Sequence, residues 1–140
     1  MKIEKLHLPM SNLPSQKYRA GTFQKSVAVK EAFNKALKKS GLSREVVAEE
    51  LSRLLNRNIS IHQINNWAAP EKRDRHIPLD CVGALAVILN SIEIIQAALD
   101  GSGYEVIGPE EKAYLELGKL VVEEKARRKK KRKLMEKLGI

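Results

Sequence analysis

Residues 41–70, GLSREVVAEELSRLLNRNISIHQINNWAAP, constrain the fold most, because they carry the start and stop signals of two short helices. Ser43 is a candidate N-cap for the first helix. Apolar residues then recur every three or four positions, as expected for a helix with one buried face. That stripe consists of Val47, Ala48, Leu51, Leu54 and Leu55. Residues 56–58 (Asn-Arg-Asn) favour a turn and end the run, so the pattern predicts two helices joined by a turn.

The second helix of this stretch is predicted to begin after Ser60, because Gln63 completes a capping box with it. Ile64 and Trp67 are its apolar anchors, and Pro70 closes it. The side chains between the anchors are mostly polar and uncharged: Ile61, His62, Gln63, Asn65 and Asn66. Asn and Gln can form paired hydrogen bonds with adenine, so this outward face suits the reading of base edges, with Ser60 beside it.

The motifs of this stretch are L-S-R-E at 42–45, V-A at 47–48, I-S at 59–60, and I and W at 64 and 67. Together they resemble phage-repressor-type (lambda-repressor-like) helix-turn-helix regulators, including small phage-encoded DNA-binding proteins. The resemblance covers roughly half of the chain. It implies an all-α fold with a five-helix repressor-like helix-turn-helix domain. It also implies a homodimer that binds double-stranded DNA and controls transcription of phage or prophage genes, although a role in phage DNA replication or transposition is equally compatible.

One departure from the family concerns the turn. Such proteins usually join the two helices by a tight turn containing Gly, whereas this chain has SRLLNRN, about one extra helical turn.

We place the domain at residues 25–100. Its first helix is predicted at residues 26–40, and Ser40-Gly41 ends it. The buried stripe of that helix is Val29, Ala32, Phe33, Ala36 and Leu37. Four lysines lie largely off this stripe and could contact either phosphates or only water: Lys30, Lys35, Lys38 and Lys39.

A charged loop and two more helices complete the predicted domain. The loop at residues 71–76 offers Lys72, Arg73 and Arg75 as phosphate contacts, although its two acids could pair with them instead. Pro78 fits the first turn of a fourth helix. The inward face of that helix is predicted to be Leu79, Val82, Leu85, Ala86 and Leu89. Ser91 is the expected cap of a fifth helix, which carries Ile92, Ile94, Ile95, Ala98 and Leu99.

The segments on either side have different compositions. Residues 1–24 lack a helical period and are predicted to form an N-terminal arm, in which Lys17 and Arg19 are candidate minor-groove contacts. A loosely packed leader is the alternative. Residues 3–8 alternate weakly and could pair as a strand with residues 104–107. Residues 101–108 are predicted to be a linker, because their Gly-Ser-Gly lacks the remaining residues of a phosphate loop.

Residues 109–140 predict a long C-terminal helix with a basic tail, starting at the proline. Its apolar seam comprises Tyr114, Leu117, Leu120 and Val121, and resumes at Leu134, Met135 and Leu138. The seam is too short for a typical coiled coil, so its first half is expected to dock on the core or on a partner's copy. The basic run at 127–133 is expected to fray alone and to add salt-sensitive affinity near phosphates. Its candidate DNA contacts are Arg127, Arg128, Lys129 and Lys130.

Charge and residue usage narrow the function classes. The net charge is +9, and residues 119–140 alone hold ten Lys/Arg and three Asp/Glu, which favours polyanions as partners. The single cysteine, Cys81, allows no disulfide and is expected to be a buried small hydrophobe. The three histidines lack ligand spacing, so no metal is expected. Without a signal-peptide core or an 18-residue apolar run, the chain is expected to be soluble and cytoplasmic.

Two hypotheses follow. The first is a sequence-specific double-stranded DNA-binding protein. Its polar helix would contact bases, and its basic loop and tail would contact phosphates. The alternative is a non-enzymatic adaptor that binds protein or RNA partners through the same helix and tail. An enzyme is the weakest case, because no carboxylate pair, nucleophile motif or phosphate loop is recognisable, and no cofactor is expected.

Overall fold

The computed structural model describes residues 12–140, and its regular elements in that range are all helical, which confirms the all-α prediction. The α-helices are α1 (Ser26–Ser40), α2 (Arg44–Leu55), α3 (Ile61–Ala68), α4 (Val82–Leu89), α5 (Glu93–Leu99) and α6 (Pro109–Leu138). Short 3-10 turns occupy Pro14–Lys17 and Leu79–Cys81. The chain divides into two compact units, Met1–Glu105 and Val106–Ile140.

The core of the first unit is formed by the apolar faces of α1 to α5. α1 packs against α3, α4 and α5, while α2 packs against α3 and α4. Fully buried or nearly so are Phe33 and Ala36 of α1, Val47 and Leu51 of α2, Ile64 of α3, Leu85 and Leu89 of α4, and Ile94 of α5. Each large apolar side chain contributes about 1.5–3 kcal/mol through its removal from water. The stripes of α1 and α2 therefore converge on one core. Leu54 is the exception: it was predicted to be buried but is 43% exposed, because it lies at the edge of the stripe in the last turn of α2.

The predicted helix starts are present as hydrogen bonds. The Ser43 hydroxyl accepts from the backbone N–H of Val46 at 3.2 Å, which caps α2. At α3 the capping box is complete. The Ser60 hydroxyl accepts from the Gln63 N–H at 3.2 Å, and the Gln63 Oε1 accepts from the Ser60 N–H at 2.9 Å. Such caps satisfy N–H groups that have no partner within the helix.

The turn between α2 and α3 forms without a glycine, because an asparagine adopts the left-handed conformation there. α2 is extended to Leu55 and ends at Asn56, whose φ of 51° is left-handed. Asn tolerates this conformation better than most residues. The Ser52 hydroxyl accepts from the Ile59 N–H at 2.8 Å and donates to the Ala48 carbonyl at 2.7 Å. These bonds fasten the end of the turn to α2, and Ile59 is buried beneath it.

Several expectations about the later elements were wrong. Leu79, predicted to face inward, is 88% exposed, because it lies in the 3-10 turn and the α-helical register starts only at Val82. The Ser91 hydroxyl accepts from the Glu93 N–H, but the N-cap position itself is Ile92. No strand is assigned at 104–107, and its expected partner at 3–8 lies outside the described residues. The basic run is continuous helix within α6 rather than a frayed end.

Candidate nucleic-acid interface

The exposed side of α3 carries most of the side chains predicted to read bases. Its apolar anchors Ile64 and Trp67 are buried, which fixes the rotation of the helix about its axis. On the other side His62, Gln63 and Asn65 are exposed, and Ile61 is 40% exposed. The predicted members lie on consecutive turns of one short helix. One exposed surface of a short helix thus presents an imidazole, two amides and an apolar side chain.

Gln63 has two roles that do not compete. Its carbonyl oxygen is used in the capping box with Ser60. Its amide NH2 takes no part in that bond and can donate to a group outside the chain. Ser60 itself is only partly exposed and acts as the cap of α3. The capping box thereby fixes the orientation of a side chain that also lies on the outward face.

Asn65 is held by a residue that the sequence interpretation had not selected. The Arg44 guanidinium, in the first turn of α2, donates from Nη1 to Asn65 Oδ1 at 2.8 Å, and both residues are exposed. A cation at a helix N-terminus opposes the helix dipole, so Arg44 does not serve to stabilise α2. Its position in the L-S-R-E motif was the available signal. The contact depends on how α2 crosses α3, which local spacing does not encode.

Asn66 is not exposed, which corrects its predicted role. It is only 9% exposed because the loop that follows α3 packs against it, although a helical wheel places it roughly opposite Ile64. The side-chain Oδ1 accepts from the Lys72 Nζ at 2.6 Å. Asn66 therefore ties the loop after α3 to the helix, and the cation of Lys72 is held next to the C-terminal end of α3.

Lys30 is the second correction, because it is only 4% exposed rather than off the buried stripe. Its ammonium donates to the carbonyls of Asn66, Trp67 and Arg75 at 3.2, 3.0 and 2.6 Å. Three carbonyls match the three donors of an ammonium group. Burial lowers the pKa of Lys30, and the nearby carboxylates of Asp74 and Glu71 oppose that shift. The buried cation thus meets the negative end of the α3 dipole.

These ties position the basic loop. The backbone of Arg75 is held by Lys30, and Lys72 is held by Asn66, while the residues of the loop from 71 to 76 are exposed. Among the described residues, no salt bridge joins Glu71 or Asp74 to Lys72, Arg73 or Arg75. An open depression of ≈ 400 Å³ is lined by Asn34, Arg44, Asn65, Ala68, Ala69, Pro70, Glu71 and Lys72. Two cations therefore flank the polar face of α3 along one concave surface.

The remaining predicted contacts lie elsewhere. Arg127, Arg128, Lys129 and Lys130 are exposed on α6, in the second unit, where Arg128 Nη2 donates to Glu124 Oε1 at 2.8 Å. Lys17 and Arg19 are exposed at the start of the described chain, and the Lys17 ammonium lies 5.2 Å from the centre of the Tyr18 ring. Lys39 pairs with Glu93 at 2.6 Å, which occupies one of the α1 lysines.

Cys81, the potential metal ligands and the helices of the described residues bear on other kinds of function. Cys81 is fully buried, and burial raises the pKa of its thiol, which disfavours the reactive thiolate. Within residues 12–140, no three His, Cys, Asp or Glu side chains are grouped so as to hold a metal ion. Over the same residues, none of the helices combines the length and apolar character that a membrane span requires.

Comparison of the chain with protein-family models, curated proteins and solved structures returned no match.

Proposed function

We propose that this protein binds double-stranded DNA in a sequence-specific manner and regulates transcription, with α3 as the recognition helix of a lambda-repressor-like helix-turn-helix domain. The observation that carries the proposal is the exposed face of α3, where His62, Gln63 and Asn65 stand on a helix whose rotation and both ends are fixed. Exposed helix faces that only meet water are usually rich in Lys and Glu. Neutral donors and acceptors are instead the groups that distinguish base pairs in the major groove.

Each side chain has a role in this proposal. The NH2 group of Gln63 and that of Asn65, whose oxygens already accept bonds within the chain, would donate to base edges. Ile61 offers an apolar contact for a thymine methyl group. Asn66 is not assigned a base, because it is buried and bonded to Lys72.

The flanking cations are assigned to phosphates. Arg44 and Lys72 line the depression beside α3, and Arg73 and Arg75 follow in the same exposed loop. Contacts of this kind position a recognition helix without carrying sequence information. The basic residues of α6 would add affinity that falls with salt concentration. Action as a homodimer and control of phage or prophage genes are proposed from the resemblance alone.

The test is selection of binding sites from a random double-stranded DNA pool with the full chain, followed by two matched variants. Gln63→Glu keeps an oxygen for the capping box but replaces the base-facing NH2 group with a charge. Gln16→Glu makes the same change in the 3-10 turn Pro14–Lys17. We expect one short site to be enriched, and Gln63→Glu to weaken its binding about tenfold or more, against less than about twofold for Gln16→Glu.

Failure of any site to be enriched would contradict the proposal. So would equal binding by the Gln63→Glu variant and the wild type. Either result would favour a non-enzymatic adaptor in which the same helix contacts a protein or RNA partner.

A further inference from the structure

The long helix α6 presents apolar side chains that lie exposed along one side. It has 30 residues, and all of them are exposed. Positions alternately three and four apart form a stripe that runs the whole length of the helix, here called the α6 seam. The seam consists of Tyr114, Leu117, Val121, Glu124, Arg128, Lys131, Met135 and Leu138. The alternation of three and four is the spacing typical of helices that pair. The two ends of the seam are apolar and its middle is charged.

The charges on α6 are strongly polarised along its axis. Residues 109–124 carry five Glu and two Lys, a net charge of −3. Residues 125–138 carry nine Lys or Arg and one Glu, a net charge of +8. A parallel pair of such helices would place the two basic halves side by side. An antiparallel pair places each basic half beside an acidic one, which is the favourable arrangement.

We propose that α6 pairs with α6 of a second copy of this chain as an antiparallel two-stranded coiled coil centred on Ala126. In that register each seam residue faces the one equally far from Ala126 on the other copy. The resulting layers are Tyr114 with Leu138, Leu117 with Met135, Val121 with Lys131, and Glu124 with Arg128. Apolar residues thus meet apolar residues at both ends, Glu124 meets Arg128 as an opposite charge, and Lys131 lies against Val121. The inference does not depend on DNA binding.

Side chains next to the seam agree with the same register at the ends of the pair. Leu120 and Leu134 flank the seam on one side and face each other across the two copies, where they extend the apolar layers. Near the two-fold axis Lys125 and Arg127 of both copies approach and repel. The apolar ends therefore supply most of the association. Lys129, Lys130 and Lys133 lie off the seam and stay accessible to a polyanion.

The first experiment measures the association of the full chain by analytical ultracentrifugation, using two leucines of α6 as a matched pair. Leu117 lies in the seam and Leu115 does not, although they are similarly exposed at 57% and 51%. Leu117→Lys should raise the dimer dissociation constant about tenfold or more, and Leu115→Lys less than about twofold. Circular dichroism checks that both variants keep their helical content.

The second experiment tests the direction of pairing with one introduced cysteine in each variant of the full chain. In the antiparallel register Leu117→Cys and Met135→Cys face each other, so mild oxidation should yield a covalent dimer only when the two variants are mixed. The buried Cys81 is common to both and to the wild-type control. A covalent dimer of either variant alone would indicate parallel pairing and overturn the proposal. A wild-type chain that stays monomeric at about 100 μM would overturn it too, as would equal effects of the two lysine variants.

Discussion

α3 and α6 are both helices with polar surfaces, yet they are specified in opposite ways. α3 has 8 residues, and its orientation is fixed by buried anchors, a capping box and the ammonium of Lys30. α6 has 30 residues, and no residue of it is buried. The side chains of α3 are thus presented in one arrangement by their own domain. The helix α6 has no such contacts with buried residues, so its proposed pairing rests on periodicity and charge, whereas the proposed base contacts of α3 rest on a fixed geometry.

The largest expected contrast is between a core leucine and a leucine of α6. Leu51 is fully buried in α2, so Leu51→Ala should lower the free energy of unfolding of the first unit by about 2–5 kcal/mol. Leu115→Ala should change it by less than about 0.5 kcal/mol. Urea unfolding followed by the fluorescence of the buried Trp67 measures both. Similar losses in the two variants would remove the distinction between the two regions.

A smaller loss is expected when the buried cation is removed. Lys30→Met leaves the carbonyls of Asn66, Trp67 and Arg75 without their donor, which should cost about 1–3 kcal/mol of unfolding free energy. Lys35→Met, at an exposed position of the same helix, is the control and should be nearly neutral. If Lys30→Met were as stable as the wild type, Lys30 would not be what holds the end of α3.

Loss of the capping box should lower the free energy of unfolding by less than loss of the Lys30 ammonium. Ser60→Ala removes the hydroxyl that accepts from the Gln63 N–H, and we expect a loss of about 1 kcal/mol. Ser60→Asp retains an acceptor and should recover most of that loss. Thermal unfolding monitored by circular dichroism compares the three chains. An alanine variant that melts with the wild type would mean that the anchors alone position α3.

The pH dependence of the Lys30 effect should be the smallest of these and has a definite sign. Burial lowers the pKa of Lys30 in the folded chain below the ordinary value of 10.5. Between the two values the unfolded chain binds more protons, so this group makes stability rise with pH. The wild type should therefore gain stability relative to Lys30→Met as pH rises towards 10.5. Urea unfolding of both chains at several alkaline pH values tests this, and a difference that shrinks would contradict it.

The features that could be predicted from the sequence are those encoded by neighbouring residues. The caps at Ser43 and Ser60, the end of α1 at Gly41 and the start of α6 at Pro109 each depend on residues within one turn of the helix. Apolar spacing was sufficient to assign most of the buried apolar residues of α1 and α2, although Leu54 is exposed. It failed at Leu79, because a 3-10 turn shifts the register before α4 begins.

The contacts that complete the α3 face could not be read from spacing. Arg44 and Asn65 are 21 residues apart, and Lys30 is 36 residues from Asn66. Whether a lysine on a helix meets water or the carbonyls of another helix depends on packing that emerges only in three dimensions. The same limit explains Asn66, which a helical wheel places roughly opposite the buried Ile64 and which the loop after α3 nevertheless covers, as its bond from Lys72 shows.

The most direct test of this account is the ratio of affinities for the enriched DNA site and for random DNA, measured against salt concentration with the full chain. Gln63→Glu should collapse the ratio and leave the salt dependence nearly unchanged. Replacing Lys129, Lys130 and Lys133 by Gln should instead reduce the salt dependence and leave the ratio nearly intact. That pattern would assign recognition to α3 and non-specific affinity to α6. A ratio that follows the lysines and ignores Gln63 would contradict the account.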